Sequence, residues 1–327
     1  MTRYRVIDVD TGRHSASLLN TSDRDWPETN CYVDVWIELL QTLGLEASAC
    51  LPFTLATDFE DDQWMFFKPP LADLEALYGI RVEELTLWRS LAAHCVAQVA
   101  AGKLPLVEVD AFYLPDTRAT DYRTNHTKTS IAINAIAPES GELGYFHNRG
   151  YHQLDGDDFD GLFRLEAPPL AGYLPPYCEI LKIDRLHRLD DRELRARSLE
   201  LVRHHLGRAP ARNPIDRFRD GIDEHLAWVL ERDLEAYHAY VFASVRQCGA
   251  AFECAETLMH WLGNAADPAW ARVAEHFGTI SRTSKTLVMK LARIVNSGQM
   301  RDLSGHFDAM AAAWTDAYGG LHDLVRA

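Results

Sequence analysis

The chain has 327 residues, 47% hydrophobic and 25% charged, with a formal net charge of −15. That length suits two domains of ordinary size, and the composition leaves little room for extensive disorder. The acidic balance excludes a general nucleic-acid role, which needs concentrated Lys and Arg. No apolar run approaches the roughly 20 residues of a membrane helix, and residues 1–10 lack the apolar core of a secretory signal, so a cytoplasmic protein is expected.

Residues 1–20 read as a short extended segment and turn. A helix is predicted over 31–43, because Tyr32, Val35, Trp36, Leu39, Leu40 and Leu43 recur at three- and four-residue steps. Thr29 or Asn30 would cap it and Gly44 would follow its end. Then comes a loop rich in acids and aromatics, 57–70, a helix over 71–78, and another from about 82 to 101 ended by Gly102. Residues 104–114 and 127–137 are β-rich, and 144–148 forms a third strand. The turn chemistry of Pro138–Glu142 joins the last two as a hairpin. Residues 179–183 make a further strand. Helices before an antiparallel sheet define an α+β domain. From 188 onward every segment reads helical: 190–206, 214–247, 250–262, 268–278, 282–296 and 302–325. Asp190 with Glu193 forms a capping box, and Asn213-Pro214 and Asp267-Pro268 are strong helix starts. The expected organisation is an α+β domain over 1–187 and a helical bundle over 188–327.

The six cysteines, at 31, 50, 95, 178, 248 and 254, form no C-x-x-C pair and have no zinc-ligand spacing, so no metal is expected. Five lack a distinctive position. Cys31 opens a helix, where the positive end of the macrodipole favours the ionised thiol. His126 enters a strand about ninety residues later, and Asn148 ends the following hairpin. A helix-borne thiol, a strand-borne imidazole and an amide beyond it stand in the order of a papain-like cysteine site. The imidazole would accept and return the thiol proton, and the amide would fix its orientation. His147 and His152 flank Asn148 as alternative bases, although alternation turns His147 to the opposite face. Asp155–Gly161 has its glycines misplaced for a calcium loop and reads as a turn before a helix. Arg246, Glu253, Lys285, Lys290 and Arg293, set in apolar helices, read as packing support.

Several strings carry a family resemblance: Asn30-Cys-Tyr-Val-Asp-Val-Trp-Ile-Glu-Leu-Leu40, Asp58-Phe-Glu-Asp-Asp-Gln-Trp64, Glu108-Val-Asp-Ala-Phe-Tyr-Leu-Pro-Asp-Thr117, the segment around His126, and Arg246-Gln-Cys-Gly-Ala-Ala-Phe-Glu253. Through them nearly the whole chain resembles a bacterial family of unknown function. More distantly, residues 25–165 resemble the papain-like N-terminal domain of the butirosin-biosynthesis acyltransferase family, with Cys31, Asp110 to Pro115, His126 and Asn148 at its motif positions. Asn148 stands where that family has Asp. No Gln precedes Cys31, so an oxyanion hole would combine the Cys31 amide with another donor, Asn30 or Gln63; Asp110 and Tyr113 are further substrate-contact candidates.

The distant resemblance implies acyl or aminoacyl transfer from a carrier-protein thioester to a small amine through an acyl-Cys31 intermediate. No cofactor would belong to the chain itself; phosphopantetheine would sit on the donor carrier. Arg185, Arg188, Arg192, Arg195 and Arg197 are the candidate docking patch. Two alternatives stand beside it: a peptidase or amide hydrolase using the same machinery, and a non-catalytic binding protein that keeps the fold.

Overall fold

Apolar residues alternating along β-rich segments and recurring every third or fourth position in the helices determine most of the observed elements. The structure, a computed structural model, describes residues 2–12, 14–165, 174–264 and 266–326. In chain order the elements are β1 (Tyr4–Arg5), α1 (Cys31–Thr42), β2 (Phe59–Glu60), β3 (Gln63–Trp64), α2 (Leu71–Tyr78), β4 (Arg81–Glu84), α3 (Leu91–Ala100), β5 (Lys103–Asp110), β6 (Lys128–Ala137), β7 (Glu142–His147), β8 (Gly150–Leu154), α4 (Gly156–Phe163) and β9 (Cys178–Lys182). The helices α5 (Asp191–Leu206), α6 (Pro214–Leu230), α7 (Leu234–Ala243), α8 (Val245–Leu262), α9 (Pro268–Ser297) and α10 (Ser304–Arg326) follow. The architecture is an α+β region with an antiparallel sheet, followed by a helical region.

The chain packs as two compact units. The first comprises Met1–Thr21, Asn30–Ala47 and Leu74–Arg188; the second comprises Ser22–Thr29, Ser48–Asp73 and Leu189–Ala327. Residues 22–29 and 48–73, expected from the sequence to continue the first region, pack with the second.

In the first unit one antiparallel sheet runs in the order β4-β9-β5-β6-β7-β8, with β1 also pairing β6. A register irregularity between Ile133 and Ala135 interrupts the β6–β7 ladder. There Asn134 staples β1's continuation, accepting from the Ile7 amide at 2.7 Å and donating to the Ile7 carbonyl at 3.0 Å. One face of the sheet presents Val107, Val109, Ile131, Ile133, Tyr145 and Cys178 to Cys95 and Val99 of α3 and to Phe159, Leu162 and Phe163 of α4. Because side chains alternate, Glu179 turns to the opposite face, where the Tyr32 hydroxyl of α1 donates to it at 2.8 Å. Helix α1 therefore covers that second face, across β6, β7 and β8.

The cap readings correspond to observed bonds. Asn30 Oδ1 accepts from the Val33 amide at 3.0 Å, Asp190 from Glu193, Asn213 from Ile215 and Asp267 from Ala269. Gly44 adopts φ +68°, where a side chain would be strained. The expected helix from 82 differs: residues 81–84 form β4, paired with β9, and the helix begins at Leu91 after the Ser90 cap. The structure also adds the strand β8, and α9 is one helix where the sequence predicts two.

In the second unit Trp26 is the clearest packing anchor. It is 4% exposed, its indole donates to Ser281 Oγ at 3.0 Å, and Lys285 Nζ stands 4.5 Å from its ring centroid. Glu253 accepts from the Asp25 and Trp26 amides and pairs with Arg24. Arg246 donates to the carbonyls of Glu28 and Thr29. His205 and Asp73 form a buried pair at 2.6 Å.

Candidate active site

Cys31 is the first residue of α1, directly behind the Asn30 cap, and is half-buried while the other five cysteines are buried. Burial pushes the Cys178 and Cys248 thiols up to about 12 and raises that of Cys95 as well. Cys31 is thus the thiol with access to solvent. Among the described residues its sulfur makes no hydrogen bond.

His126 is exposed and bonds through Nδ1 to Asp110 Oδ2 at 2.6 Å. The strand register accounts for this pair: Asp110 ends β5 opposite Lys128, the first residue of β6, and His126 lies two residues before it. Phe112 stacks against the imidazole with ring centroids 4.5 Å apart and planes 13° apart. A carboxylate on Nδ1 selects the tautomer that carries its proton there, leaving Nε2 as the basic nitrogen. Val109 belongs to the α3/α4 core, so alternation turns Asp110 to the face that carries α1. Cys31's helix therefore lies on the face toward which Asp110 points, while the groove around His126 also takes in Leu91, Val109 and Leu162 of the other face. No hydrogen bond joins Cys31 to His126 among the described residues.

Asn148 occupies the two-residue turn between β7 and β8 at φ +45°, a conformation that Asn tolerates better than most residues. It makes no hydrogen bond with His126; the partner of that ring is Asp110. Asn30 uses its Oδ1 to cap α1. Gln63 lies exposed on β3 in the second unit. Tyr113 is half-buried, its ring so close to Gly161 that a Cβ there would lie 2.0 Å away.

Asp110, Tyr113 and His126 line an open groove of about 670 Å³ at the ends of β5 and β6, together with Glu108, Lys128, Leu91, Val109, Leu162, Leu174 and Tyr177. Lys128 pairs with Glu108 at 2.7 Å. Tyr177 and Tyr32 both donate to the buried Glu179 carboxylate, at 2.6 and 2.8 Å, and their own burial with that charge pushes both phenols upward. They remain hydrogen-bond donors.

A second polar cluster emerges on the α3/α4 face. Asp116 accepts from Tyr145 on Oδ1 at 2.6 Å and meets His147 Nδ1 on Oδ2 at 2.5 Å, while His147 Nε2 contacts Thr129 Oγ1 at 2.8 Å. Hydroxyl, imidazole and carboxylate are thus aligned, but Thr129 and His147 are buried and the Asp116 side chain is only 8% exposed. The alternation of β7 places His147 on that face, as the sequence indicates; Asp116, thirty-one residues earlier, carries no local signal for the pairing.

The Asp155–Gly161 segment forms the start of α4, and Asp158 is engaged by the Tyr122 hydroxyl and Arg123. Among the described residues no group of three or more His, Cys, Asp and Glu side chains is arranged to hold a metal. Among the described residues no helix is long and apolar enough to cross a membrane. Of the arginine patch, Arg188 donates to the Leu43 carbonyl and Arg195 to that of Trp261.

An α+β unit with a partly exposed helix-borne thiol and a solvent-facing His–Asp pair, joined to a helical region, is the class of protein that fold and site define. The chain belongs to the DUF1839 family: residues 15–183 match the DUF1839 N-terminal domain and residues 191–323 the DUF1839 C-terminal domain. No curated protein matches it.

Proposed function

We propose that the protein is a papain-like cysteine acyltransferase in which Cys31 carries the acyl group and His126, oriented by Asp110, moves the protons. The supporting observation is the 2.6 Å bond between His126 Nδ1 and Asp110 Oδ2, with Asp110 pointing toward the face that carries α1. In this reading Asp110 takes the orienting role expected of Asn148, and the resemblance to the butirosin-biosynthesis acyltransferase family supplies the reaction class.

Cys31 Sγ, its proton passed to His126 Nε2, attacks the thioester carbonyl carbon of a carrier-bound acyl group. The carbon–sulfur bond to the carrier breaks, and the leaving thiolate takes the proton back. An amine then attacks the acyl-cysteine, His126 accepts its proton, and the amide departs as the Cys31 thiol is restored. Exchange between two thioesters is nearly isoenergetic, so activation is stored rather than lost. The imidazole must reach Cys31 once the donor is bound; such contacts are commonly long in free enzymes and close in the substrate complex.

The test is intact-mass analysis after incubation with acyl-loaded carrier proteins. The expected result is an adduct of acyl mass that is absent from Cys31→Ala; equal acylation of that variant overturns the proposal. Transfer to water instead of an amine would make the protein a hydrolase on the same machinery.

One observation favours a second reading, a binding protein that retains the fold: the Cys31 sulfur has no hydrogen-bond partner among the described residues. On that reading iodoacetamide labels Cys31 no faster than an unactivated exposed thiol, and carrier thioesters leave no adduct.

A further inference from the structure

We propose that the groove beside His126 is a subsite for an aliphatic acyl chain, so that the preferred donor is a medium-chain aliphatic thioester and not an aminoacyl one. The role of the thioester rests on the acyl-transfer reading; the preference for an apolar chain rests on the groove itself.

The groove's volume, about 670 Å³, is ample for a chain of eight carbons, and Leu91, Val109, Leu162, Leu174 and Tyr177 give it apolar walls. Its two carboxylates are already engaged, Glu108 by Lys128 at 2.7 Å and Asp110 by His126 at 2.6 Å. Arg164 also lies in the lining, so charges of both signs balance and an incoming ammonium meets no spare anion. Burying an ammonium without a partner is costly, whereas burying methylenes is favourable.

The polar end of the ligand has partners at the other side. Tyr113 and His126 flank Phe112, with ring centroids 5.1 and 4.5 Å from it. The Tyr113 hydroxyl makes no hydrogen bond among the described residues, and Gly161 leaves the space its ring occupies. A phenol without a partner, in the groove that His126 also lines, suits a carbonyl group: the phenol donates to its oxygen while the chain runs along the apolar wall.

The experiment compares octanoyl, acetyl and β-alanyl thioesters of N-acetylcysteamine. Calorimetry on Cys31→Ala measures binding without turnover, and intact mass on the unmodified protein measures acylation. Each buried methylene is worth roughly fourfold in affinity, so octanoyl is expected to bind at least ~100-fold more tightly than acetyl or β-alanyl. Leu91→Asp should cut octanoyl affinity at least ~10-fold and leave acetyl unchanged. Leu91 is half-buried in the first turn of α3, where an acid suits the helix end, and a thermal melt verifies that the variant is folded. Leu174→Asp, at an exposed side chain, provides an independent variant. Equal affinity for octanoyl and β-alanyl, or octanoyl binding insensitive to both variants, overturns the subsite. Octanoyl binding without any adduct in the unmodified protein keeps the subsite and ends the acyl-transfer reading. Adducts formed irrespective of chain length do the reverse.

Discussion

His147 and Asp116 meet at 2.5 Å, Nδ1 to Oδ2, deep on the α3/α4 face of the sheet, and Tyr145 closes the other carboxylate oxygen. Burial alone would raise the Asp116 carboxyl, but the His147 hydrogen bond and charge, helped by His152 and Tyr145, outweigh it and hold the group below its usual range. Asp116→Asn leaves the ring nitrogen and the phenol imperfectly paired in the core and should cost about 3–5 kcal/mol, read from urea denaturation at neutral pH. A loss below about 1 kcal/mol would show that the network adds little.

Acid should weaken the fold in two windows. Burial lowers His152 from its ordinary 6.5, against the opposing pull of Asp116. A neutral imidazole is thus favoured by folding, and its contribution, complete above 6.5, declines as pH falls below that value. Asp116 has a folded-state value below 3.8, so its contribution is complete above 3.8 and is lost as pH falls through the folded value. Denaturation midpoints measured from pH 7.5 to pH 3 should fall in both ranges, and Asp116→Asn should flatten the lower one.

For the proposed reaction, Asp110→Asn and His126→Gln should each slow Cys31 acylation by about 10²–10⁴-fold. His126 is exposed and Asp110 half-buried, so stability should change by no more than about 1 kcal/mol. Stopped-time intact mass and a thermal melt separate the two effects. Unaltered acylation in both variants would remove the pair from the chemistry.

Trp26 and Gly249 are matched in shape: a Cβ on Gly249 would come within 2.3 Å of the indole. Trp26→Ala should cost about 3–5 kcal/mol and Gly249→Ala about 1–3 kcal/mol. Combining them should cost less than the sum, because the truncated ring no longer opposes the methyl group. Urea unfolding of the two single variants and the double variant measures that coupling.

Asn30→Ala removes the side chain that accepts from the Val33 amide and should cost about 1 kcal/mol. It should also change the iodoacetamide labelling rate of Cys31, the next residue, because the first turn loosens. An unchanged rate would mean that thiol accessibility is set by other contacts.

Local rules explain which elements were legible. Helix α1 has its apolar face and cap within fourteen residues, and Asn213, Asp267 and Asp190 each sit beside the turn they cap. The segment from 82 misled because Val82, Leu85 and Leu87 mix with good helix formers, while its strand state is decided by pairing with Leu181 and Ile180, about a hundred residues away. The site shows the same division. Cys31 and His126 stood out by their places at element starts. Asp110 stands in a motif that suggests substrate contact, but its bond to His126 follows from the β5–β6 register, a tertiary fact. Asp116 carries no such signal, because nothing within a few residues of it points to His147.

Residues 22–29 and 48–73 pack with the helical unit, which bears on how the molecule can be cut. A fragment starting at residue 189 would carry Gly249 without its indole, Glu253 without the amides it accepts from, and His205 without Asp73. Such a piece begins with a vacant slot and two orphaned ionisable groups, so insolubility on truncation at the family-domain border would reflect missing staples, not an inability of those helices to fold in the intact polypeptide.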